Sequence, residues 1–301
     1  CAYAPPAFTP GEIIPTRRRT ARLVGRDAGQ FTPMTLRPTL RGSVLALALL
    51  VGLILSSCAT RATVPTPAPV LVLISPDAFR WDYCALHPNE TPRLRELIRE
   101  GSSAQALIPV YPSNTFPNHY TIVTGLYPSH HGIINNDFFD PAEGRYFHYN
   151  IPGSAQDKRW WKGEPIWVTA IKQGKKAASA YWIGSEAEIA GVRPTFWRAY
   201  DPKVTFETRF NELARWLRLP TAERPAVITF YLEETNSIGH KFGPDSPELT
   251  AAIKLQDGRI GALVDLFKSD GIPANFVIVS DHGMTPISTH RVMLLDDFID
   301  P

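Results

Sequence analysis

The sequence predicts an α/β protein built on a mostly parallel sheet with helices on both faces. Three apolar runs, at Val70–Asp77, Ala226–His240 and Asn275–His282, are rich in branched and aromatic residues and indicate strands buried on both faces. Each run ends in polar residues, and segments with helical signals separate the runs. Alternation of this kind is typical of parallel strands joined by helices.

Local signals assign the elements between these strands. A predicted helix begins at the Thr91-Pro92 pair, a cap residue followed by a residue suited to the first helical turn, and it ends at Gly101. The aromatic-rich connection at 136–163 is predicted either to form a wall of a substrate cleft or to pack as a surface loop. The other predicted elements are, in chain order, a strand at Ser103–Val110, helices at Thr115–Thr124 and Ile166–Gln173, a strand at Ala177–Ile183, an amphipathic helix at Phe206–Leu217 and a long helix from Pro247 to about Asp270.

The composition is that of an ordinary globular protein without a bias toward polyanion binding. The chain of 301 residues has a formal net charge of +2, with 20% charged and 44% hydrophobic residues. We therefore expect no binding of nucleic-acid polymers. A nucleotide would have to be held by local metal and side-chain contacts.

The N-terminal part is predicted to be a targeting segment. From Met34, the residues Arg37 and Arg41 form a positive region that is followed by the apolar stretch Val44–Leu55, which is short for a membrane span. The sequence that ends at Cys58 resembles a bacterial lipobox, which implies cleavage before Cys58 and lipidation of its thiol. A generic signal peptide or a single anchor helix is the alternative. We expect residues 1–33 to be a non-native upstream segment and residues 34–57 to be a lipoprotein signal peptide.

The lipoprotein interpretation also predicts where the protein resides. Residues 58–69 are rich in proline, threonine and alanine and are expected to form a tether. Ala59 is not an aspartate retention signal, so we expect a lipid anchor in the cell envelope, in the outer membrane and facing the periplasm. Cys84 is the one cysteine expected in the folded part, so no intrachain disulfide is expected.

The segment from Tyr111 to Asn136 carries the clearest chemical signal. Thr115 stands directly before an apolar, helix-like stretch, so its hydroxyl is expected at a helix N-terminus, where unpaired backbone N–H groups favour negative charge. This arrangement suits a nucleophile that attacks a phosphate group. A simple helix cap is the alternative interpretation of Thr115.

Polar side chains follow each of the three predicted buried strands. The carboxyl ends of parallel strands meet at one edge of an open sheet, where ligands bind. Asp77, His240, Asp281 and His282 follow these strands and offer the oxygen and nitrogen atoms that zinc prefers. Glu233 and Glu234 are expected either to support this site or only to be solvated at the strand end.

These segments together resemble the nucleotide pyrophosphatase/phosphodiesterase family, within the alkaline phosphatase superfamily. The resemblance runs from about Val70 to the chain end, and its most specific parts are TFPNHYTIVTGLYPSHHGI, EE-x-x-S-x-GHKFGP and SDHGM. It implies an alkaline-phosphatase-like core and hydrolysis of nucleotide phosphodiester or pyrophosphate bonds through a threonyl-phosphate intermediate. Residues 70–301 would then be the N-terminal part of the phosphodiesterase catalytic domain.

The resemblance also implies a site with two zinc ions. One ion would be held by Asp77, Thr115, Asp281 and His282, and the other by the residue at position 236, by His240 and by a later histidine. Asn136 matches an asparagine that donates to a phosphate oxygen. Phe116 and Tyr200 match aromatic residues that hold the nucleobase. His119, His130 and His131 are expected to pack or to form hydrogen bonds.

Two features depart from the family pattern. Position 236 is Asn236 where the family has aspartate, and an amide oxygen is a neutral and weaker zinc ligand than a carboxylate. His290 follows the SDHGM motif too closely to be the later histidine, so we expect the chain to be a fragment of a longer protein with an incomplete second zinc site.

Several functions remain open at this point. The alternatives are a phosphomonoesterase or a phospholipid-headgroup phosphodiesterase of the same superfamily, and a metal-poor pseudoenzyme that only binds a ligand. A sulfatase is disfavoured because Thr115 stands in T-F-P-N and not in the C/S-x-P-x-R context that formylglycine formation needs. The sequence leaves the oligomeric state open.

Overall fold

The computed structural model describes residues 68–294 and 297–299, apart from the side chain of Thr289. The predicted upstream segment, the signal peptide, Cys58 and nearly all of the predicted tether lie outside the described residues. In the part of the chain that the structure describes, no helix combines the length and the apolar character that a membrane crossing requires.

The centre of the described part is a five-stranded parallel sheet. Its strands in chain order are β1 (Val70–Pro76), β4 (Ala177–Ala180), β5 (Phe196–Trp197), β6 (Val227–Leu232) and β7 (Ala274–Ile278), and the order across the sheet is β5-β4-β6-β1-β7. The strand β1 lies between β6 and β7, with Pro76 opposite Leu232 and Ile74 opposite Ile278. This register brings the residues that follow β1, β6 and β7 to the same edge of the sheet.

Helices cover both faces of this sheet, as predicted. They are α1 (Tyr83–Leu86), α2 (Pro92–Glu100), α3 (Thr115–Thr124), α4 (Pro128–His131), α5 (Ile166–Lys172), α6 (Phe206–Leu217), α7 (Glu234–Phe242) and α8 (Pro247–Ser269). Val72 and Ile74 of β1 pack with residues of α6 and α8 such as Leu213 and Leu263. Leu73, between them in the sequence, packs with Trp167 of α5 and with residues of α3. The alternation along β1 therefore divides the core into two layers.

Two strand predictions need correction. Ser103–Val110 is not a strand, because it is paired with none of the strands described above and is largely exposed, with Ile108 87% exposed. A short apolar run does not form a strand without a neighbour to complete its hydrogen bonds. The predicted strand at Ala177–Ile183 ends at Ala180, because Tyr181 has a left-handed backbone with φ of 66° that breaks the extended conformation.

The connection at 136–163 contains structure that the sequence did not reveal. An antiparallel hairpin of β2 (Asp137–Asp140) and β3 (Arg145–His148) lies within it. Phe147 of this hairpin is fully buried in the core layer beside α3 and contacts Phe116 edge-on, with 5.7 Å between the ring centroids. The hairpin therefore fixes the surroundings of the N-terminus of α3.

Candidate active site

Three side chains converge at the carboxyl edge of the sheet, as the sequence predicts. Asp77 directly follows β1, and Asp281 and His282 follow β7. One ligand atom from each lies within 4.8 Å of the others. Both carboxylates are almost completely buried. Parallel pairing of β1 with β7 is what brings residues so far apart in sequence to one point.

The backbone after β1 is joined to the backbone after β7. Ala78 has a left-handed conformation with φ of 55°, and its N–H donates to Asp281 Oδ1 at 3.2 Å. The next N–H, of Phe79, donates to Ser280 Oγ at 2.9 Å. An alanine rarely adopts this conformation, so the sequence offered no signal for the turn. These bonds hold the two carboxylates in a fixed relation.

The hydrogen bond of His282 Nδ1 determines which nitrogen of the ring is unprotonated. The unprotonated nitrogen faces this cluster with its lone pair. Nδ1 lies 2.9 Å from the carbonyl oxygen of Gly283, which can only accept, so Nδ1 carries the proton in the neutral ring. Nε2 is then unprotonated and lies 3.1 Å from Asp281 Oδ2 and 3.5 Å from Asp77 Oδ1. A neutral imidazole oriented by its other nitrogen is the usual arrangement of a metal-binding histidine.

These atoms fit a divalent metal ion. Asp77 Oδ1 and Asp281 Oδ2 are buried and accept no hydrogen bond from any residue that the structure describes. Two unpartnered carboxylate oxygens beside an unprotonated imidazole nitrogen are costly without a cation. Ligands at about 2.0–2.2 Å from a tetrahedral zinc ion lie roughly 3.4 Å apart. The separations of 3.1 and 3.5 Å agree with such a site.

The electrostatics of the two carboxylates differ. Burial, and after it the negative charge of Asp281, raises the pKa of Asp77 well above its usual range. Burial by itself would also raise the pKa of Asp281. The His119 ring, with its Nδ1 toward Asp281, and the N–H of Ala78 outweigh this effect and hold the pKa of Asp281 below its usual range. A bound cation would favour the ionised form of both groups.

Thr115 is the first residue of α3, as predicted, and its hydroxyl lies next to the cluster of Asp77, Asp281 and His282. Thr115 Oγ1 lies 3.3 Å from His282 Nε2. The preceding Asn114 has an extended backbone but makes no side-chain cap to the helix. Gly125, with φ of 68°, ends the helix as expected. Thr115 is therefore not the helix cap, and its hydroxyl lies beside His282 Nε2.

Asn136 holds the first turn of α3. Its Oδ1 accepts a hydrogen bond from the N–H of Phe116 at 2.9 Å, which fixes the orientation of the side-chain amide. Asn136 Nδ2 is therefore the group that can donate to a bound ligand. The adjacent Asn135 Oδ1 accepts from the N–H of Asn136 at 2.9 Å and from the side chain of Asn114, which stabilises the loop before β2.

Asn236 and His240 lie on α7, one helical turn apart. Thr235, beside Asn236, donates to the carbonyl oxygen of Asp77, so the first turn of α7 is attached to the end of β1. Asn236 Oδ1 is buried and accepts no hydrogen bond from the described residues, whereas His240 is exposed. In the described part of the chain, His240 does not join the cluster of Asp77, Asp281 and His282. The second predicted site thus consists of an unpartnered amide oxygen and an exposed imidazole.

The two glutamates before these residues are held by arginines. Glu233 accepts from the buried Arg209 at 3.2 and 3.3 Å, and Glu234 pairs with Arg259. Arg209 also donates to the carbonyl oxygen of Tyr231 at 2.7 Å. Glu233 and Glu234 therefore stabilise the end of β6 and the start of α7 and are more than solvated strand-end residues.

The two predicted base-binding aromatics lie in different surroundings. The Phe116 ring contacts Phe147, Trp161 and Tyr149, with Tyr149 at 5.8 Å between ring centroids. Tyr200 is 47% exposed and contacts the Tyr181 ring edge-on at 5.3 Å. No aromatic contact between Phe116 and Tyr200 is present among the described residues. The contact of Tyr149 with Phe116 was not predicted from the sequence. A lone tyrosine carries no signal there, and only the hairpin places Tyr149 beside Phe116.

Comparison with known proteins decides the family. Residues 71–301 match the family model described as type I phosphodiesterase / nucleotide pyrophosphatase. The chain belongs to this family. The resemblance seen in the sequence is therefore confirmed, and the nucleotide pyrophosphatase/phosphodiesterase assignment covers β1 and β7, the two strands that Asp77, Asp281 and His282 follow.

Relatives in the nucleotide pyrophosphatase/phosphodiesterase family are longer than this chain. Similar proteins include a venom phosphodiesterase of Macrovipera lebetinus, 39% identical over 81% of this chain and 29% of that protein, and an uncharacterized pyrophosphatase/phosphodiesterase of Schizosaccharomyces pombe, 42% identical over 76% and 48%. Ectonucleotide pyrophosphatase/phosphodiesterase family member 3 of Rattus norvegicus is 41% identical over 76% of this chain and 26% of that protein. The chain spans less than half the length of these relatives.

Solved structures of the family have the same fold. Murine ectonucleotide pyrophosphatase/phosphodiesterase 5, in an inactive threonine-to-alanine form in complex with AMP, aligns with a TM-score of 0.71 and 33% identity. The alignment covers 77% of this chain and 62% of that one. The human protein of the same name aligns with the same TM-score and 34% identity. The predicted alkaline-phosphatase-like α/β core is thereby confirmed.

Proposed function

We propose that this protein hydrolyses phosphodiester or pyrophosphate bonds of nucleotides, with Thr115 as the nucleophile in a metal-dependent reaction. The observation that carries the proposal is the approach of Thr115 Oγ1 to within 3.3 Å of His282 Nε2, beside the unpartnered oxygens of Asp77 and Asp281. Membership of the family supports the same reaction class. The threonyl intermediate and the metal dependence are part of the proposal.

Zinc is the metal that we propose for the site. Asp77, Asp281 and His282, with the Thr115 oxygen, would hold one ion, and Asn236 with His240 would contribute to a second. When bound, zinc supplies positive charge that lowers the pKa of an attached hydroxyl and stabilises oxygen atoms on which negative charge develops. Two carboxylates, an imidazole and a hydroxyl form a donor set that zinc accepts.

The residues of the chain perform the steps on the phosphate. Thr115 Oγ1 forms an ester bond with phosphorus while the bond to the leaving oxygen breaks, and the hydroxyl proton passes to solvent. Water then attacks phosphorus, the ester bond breaks, and Thr115 recovers a proton. Asn136 Nδ2 donates to a phosphoryl oxygen, because its Oδ1 is held by the Phe116 N–H. That N–H is thus already occupied and does not contact the phosphate.

A nucleotide is the substrate class that the surroundings support best. The AMP in the murine family member 5 complex supports a nucleoside monophosphate moiety as the recognised part. The Phe116 ring, held by Phe147 and Trp161, is a rigid aromatic surface beside the nucleophile on which a base can stack. Tyr200 is proposed as a second base contact.

The test replaces Thr115 and separates chemistry from metal binding. Thr115→Ala should lower turnover of p-nitrophenyl-TMP by at least about 10³-fold, as expected for loss of a nucleophile, while zinc is retained through the remaining ligands. Thr115→Ser keeps the hydroxyl and is the matched control, which should retain measurable turnover and form a seryl-phosphate ester. Turnover of the alanine variant near that of the unsubstituted protein would remove Thr115 from the mechanism.

A second candidate function rests on the composition of the second metal site. The neutral Asn236 and the exposed His240 favour a protein that binds one metal ion and a nucleotide but turns it over slowly. Zinc analysis beside nucleotide-binding measurements distinguishes this binding module from the enzyme. One tightly held zinc ion, nucleotide binding and no diesterase activity in the unsubstituted protein would favour it.

The place of action is a further part of the proposal. The lipobox that ends at Cys58 supports a lipid anchor at the outer membrane, with the folded part facing the periplasm. The substrates would then be nucleotides of the cell envelope.

A further inference from the structure

Two buried side chains contact the carboxylates of Asp77 and Asp281 from the interior of the protein. The hydroxyl of Tyr231, on β6, donates to Asp77 Oδ2 at 2.6 Å. An ionised carboxylate can only accept, so the tyrosine is the donor. This bond leaves Asp77 Oδ1, which faces His282, without a hydrogen-bond partner. Tyr231 thus determines which carboxylate oxygen is directed at the site.

His119 contacts Asp281 on the oxygen that faces the site, and it also contacts the nucleophile helix. Its side chain is completely buried on α3, four residues after Thr115. Nδ1 is hydrogen-bonded to the carbonyl oxygen of Thr115 at 2.9 Å and lies 3.2 Å from Asp281 Oδ2, a charge contact without hydrogen-bond geometry. Nε2 lies 2.9 Å from Ser75 Oγ on β1. A single ring therefore connects the nucleophile helix, the residues after β7 and the strand β1.

Geometry assigns the tautomer of His119. The carbonyl oxygen of Thr115 can only accept a hydrogen bond, so Nδ1 carries the proton. In the neutral ring Nε2 is then the acceptor, and the Ser75 hydroxyl donates to it. The Nδ1–H therefore presents positive charge to both Thr115 O and Asp281 Oδ2, which no other tautomer of the neutral ring provides.

Ser75, His119 and Tyr231 form one continuous support layer. The His119 and Tyr231 rings pack edge-on with 5.2 Å between centroids, and all three residues are buried. Trp182 closes the other side of His119, with 5.2 Å between ring centroids, and its indole N–H donates to the His119 carbonyl oxygen at 3.2 Å. Such packing permits one arrangement of the donors, so the carboxylates cannot rotate freely.

We infer that His119 and Tyr231 are positioning residues that orient Asp281, Asp77 and the start of α3 for metal binding. The inference rests on the proposed function, because it takes the carboxylate cluster to be a metal site. Removal of the hydrogen bonds that orient metal ligands typically lowers metal affinity by about 10–100-fold. We expect a loss in this range when either donor is removed.

The experiment measures metal binding directly. Co²⁺ is titrated into metal-free protein and its visible absorption is recorded, and Zn²⁺ affinity is obtained by competition with a chelator. Tyr231→Phe should lower both affinities about 10–100-fold. Tyr120→Phe is the matched control, because Tyr120 is also buried, lies on α3, and its hydroxyl has no hydrogen-bond partner in the described residues. The control should bind both metals like the unsubstituted protein.

Two variants at His119 distinguish its role as a hydrogen-bond donor from its role in packing. An asparagine amide can replace the Nδ1–H donor, whereas a glutamine amide reaches toward the Nε2 position. His119→Asn should therefore preserve most of the metal affinity and the Co²⁺ spectrum, and His119→Gln should lose affinity about 10–100-fold and alter the spectrum. Thermal unfolding in the presence of chelator verifies that both variants fold.

The outcomes distinguish this inference from the proposed function. Equal metal affinity in Tyr231→Phe, in both folded His119 variants and in the unsubstituted protein would overturn the support layer while the enzyme proposal stands. Equal losses in His119→Asn and His119→Gln would overturn the donor role of His119. Metal binding without diesterase activity would overturn only the proposed function. Failure of the unsubstituted protein to bind either metal would overturn both.

Discussion

At the scale of single residues, the charge of one side chain separates this protein from the family pattern. Asn236 Oδ1 is buried and accepts no hydrogen bond from the described residues, so an oxygen is present where the resemblance implies a carboxylate, but it carries no negative charge. We expect Asn236→Asp to raise zinc stoichiometry toward two and to increase turnover. The gain in zinc affinity should be at least about 10–100-fold, which is the range typical of changes to groups that hydrogen-bond to a metal ligand. Metal analysis and kinetics on both forms measure these effects.

A second asparagine provides the control for this charge change. Asn211 is exposed on α6 and is not part of the cluster of Asp77, Asp281 and His282, so Asn211→Asp adds the same charge outside it. This variant should change neither zinc content nor turnover. Two tightly bound zinc ions and full activity in the protein with Asn236 would contradict the prediction, since the amide would then be an adequate ligand.

At the scale of elements, α7 depends on a close contact with the loop after β7. A Cβ atom on Gly239 would lie 2.6 Å from Met284 Sδ, so the GH and SDHGM motifs pack directly together. Gly239→Ala should gain about 0.5–1 kcal/mol from helix propensity, and displacement of the flexible end of the Met284 side chain should offset part or all of this gain. Gly258→Ala, on α8 with open space around the glycine, should be stabilised by about 0.5–1 kcal/mol. Denaturant unfolding measures both.

Shortening Met284 tests whether its side chain limits the stability gained at Gly239. The combination of Gly239→Ala with Met284→Ala should be more stable than the sum of the separate changes, because the added methyl group then has space. Strict additivity would show that Met284 does not restrict Gly239.

At the scale of the whole molecule, the folded part and the predicted anchor are separate features of the chain. In a Gram-negative host, the protein should incorporate labelled palmitate, and Cys58→Ala should abolish the label because the acylated thiol is lost. Cys84→Ala is the control, since Cys84 is half-buried and packs against the core between the sheet and α8. Unchanged labelling of the Cys58→Ala protein, or its loss from the Cys84→Ala protein, would contradict the lipobox interpretation.

The sequence by itself determined the parallel sheet, most helices and the ligand set at its carboxyl edge. Branched residues marked β1, β6 and β7, and the common direction of parallel strands meant that Asp77, Asp281 and His282 had to share an edge. Thr91-Pro92, Gly101 and Gly125 marked helix ends correctly, because caps act through local backbone geometry. Local signals of this kind are read without knowledge of the fold.

Only the tertiary structure decided which groups contact each other across the chain. The orientation of Asn136, the Ser75 hydroxyl that contacts His119 Nε2 and the donor to Asp77 all depend on partners far away in sequence. The incorrect strand at Ser103–Val110 has the same origin, because an apolar run becomes a strand only where a neighbouring strand completes its hydrogen bonds. These contacts depend on the packing of elements that are distant in sequence, and no local sequence pattern predicts that packing.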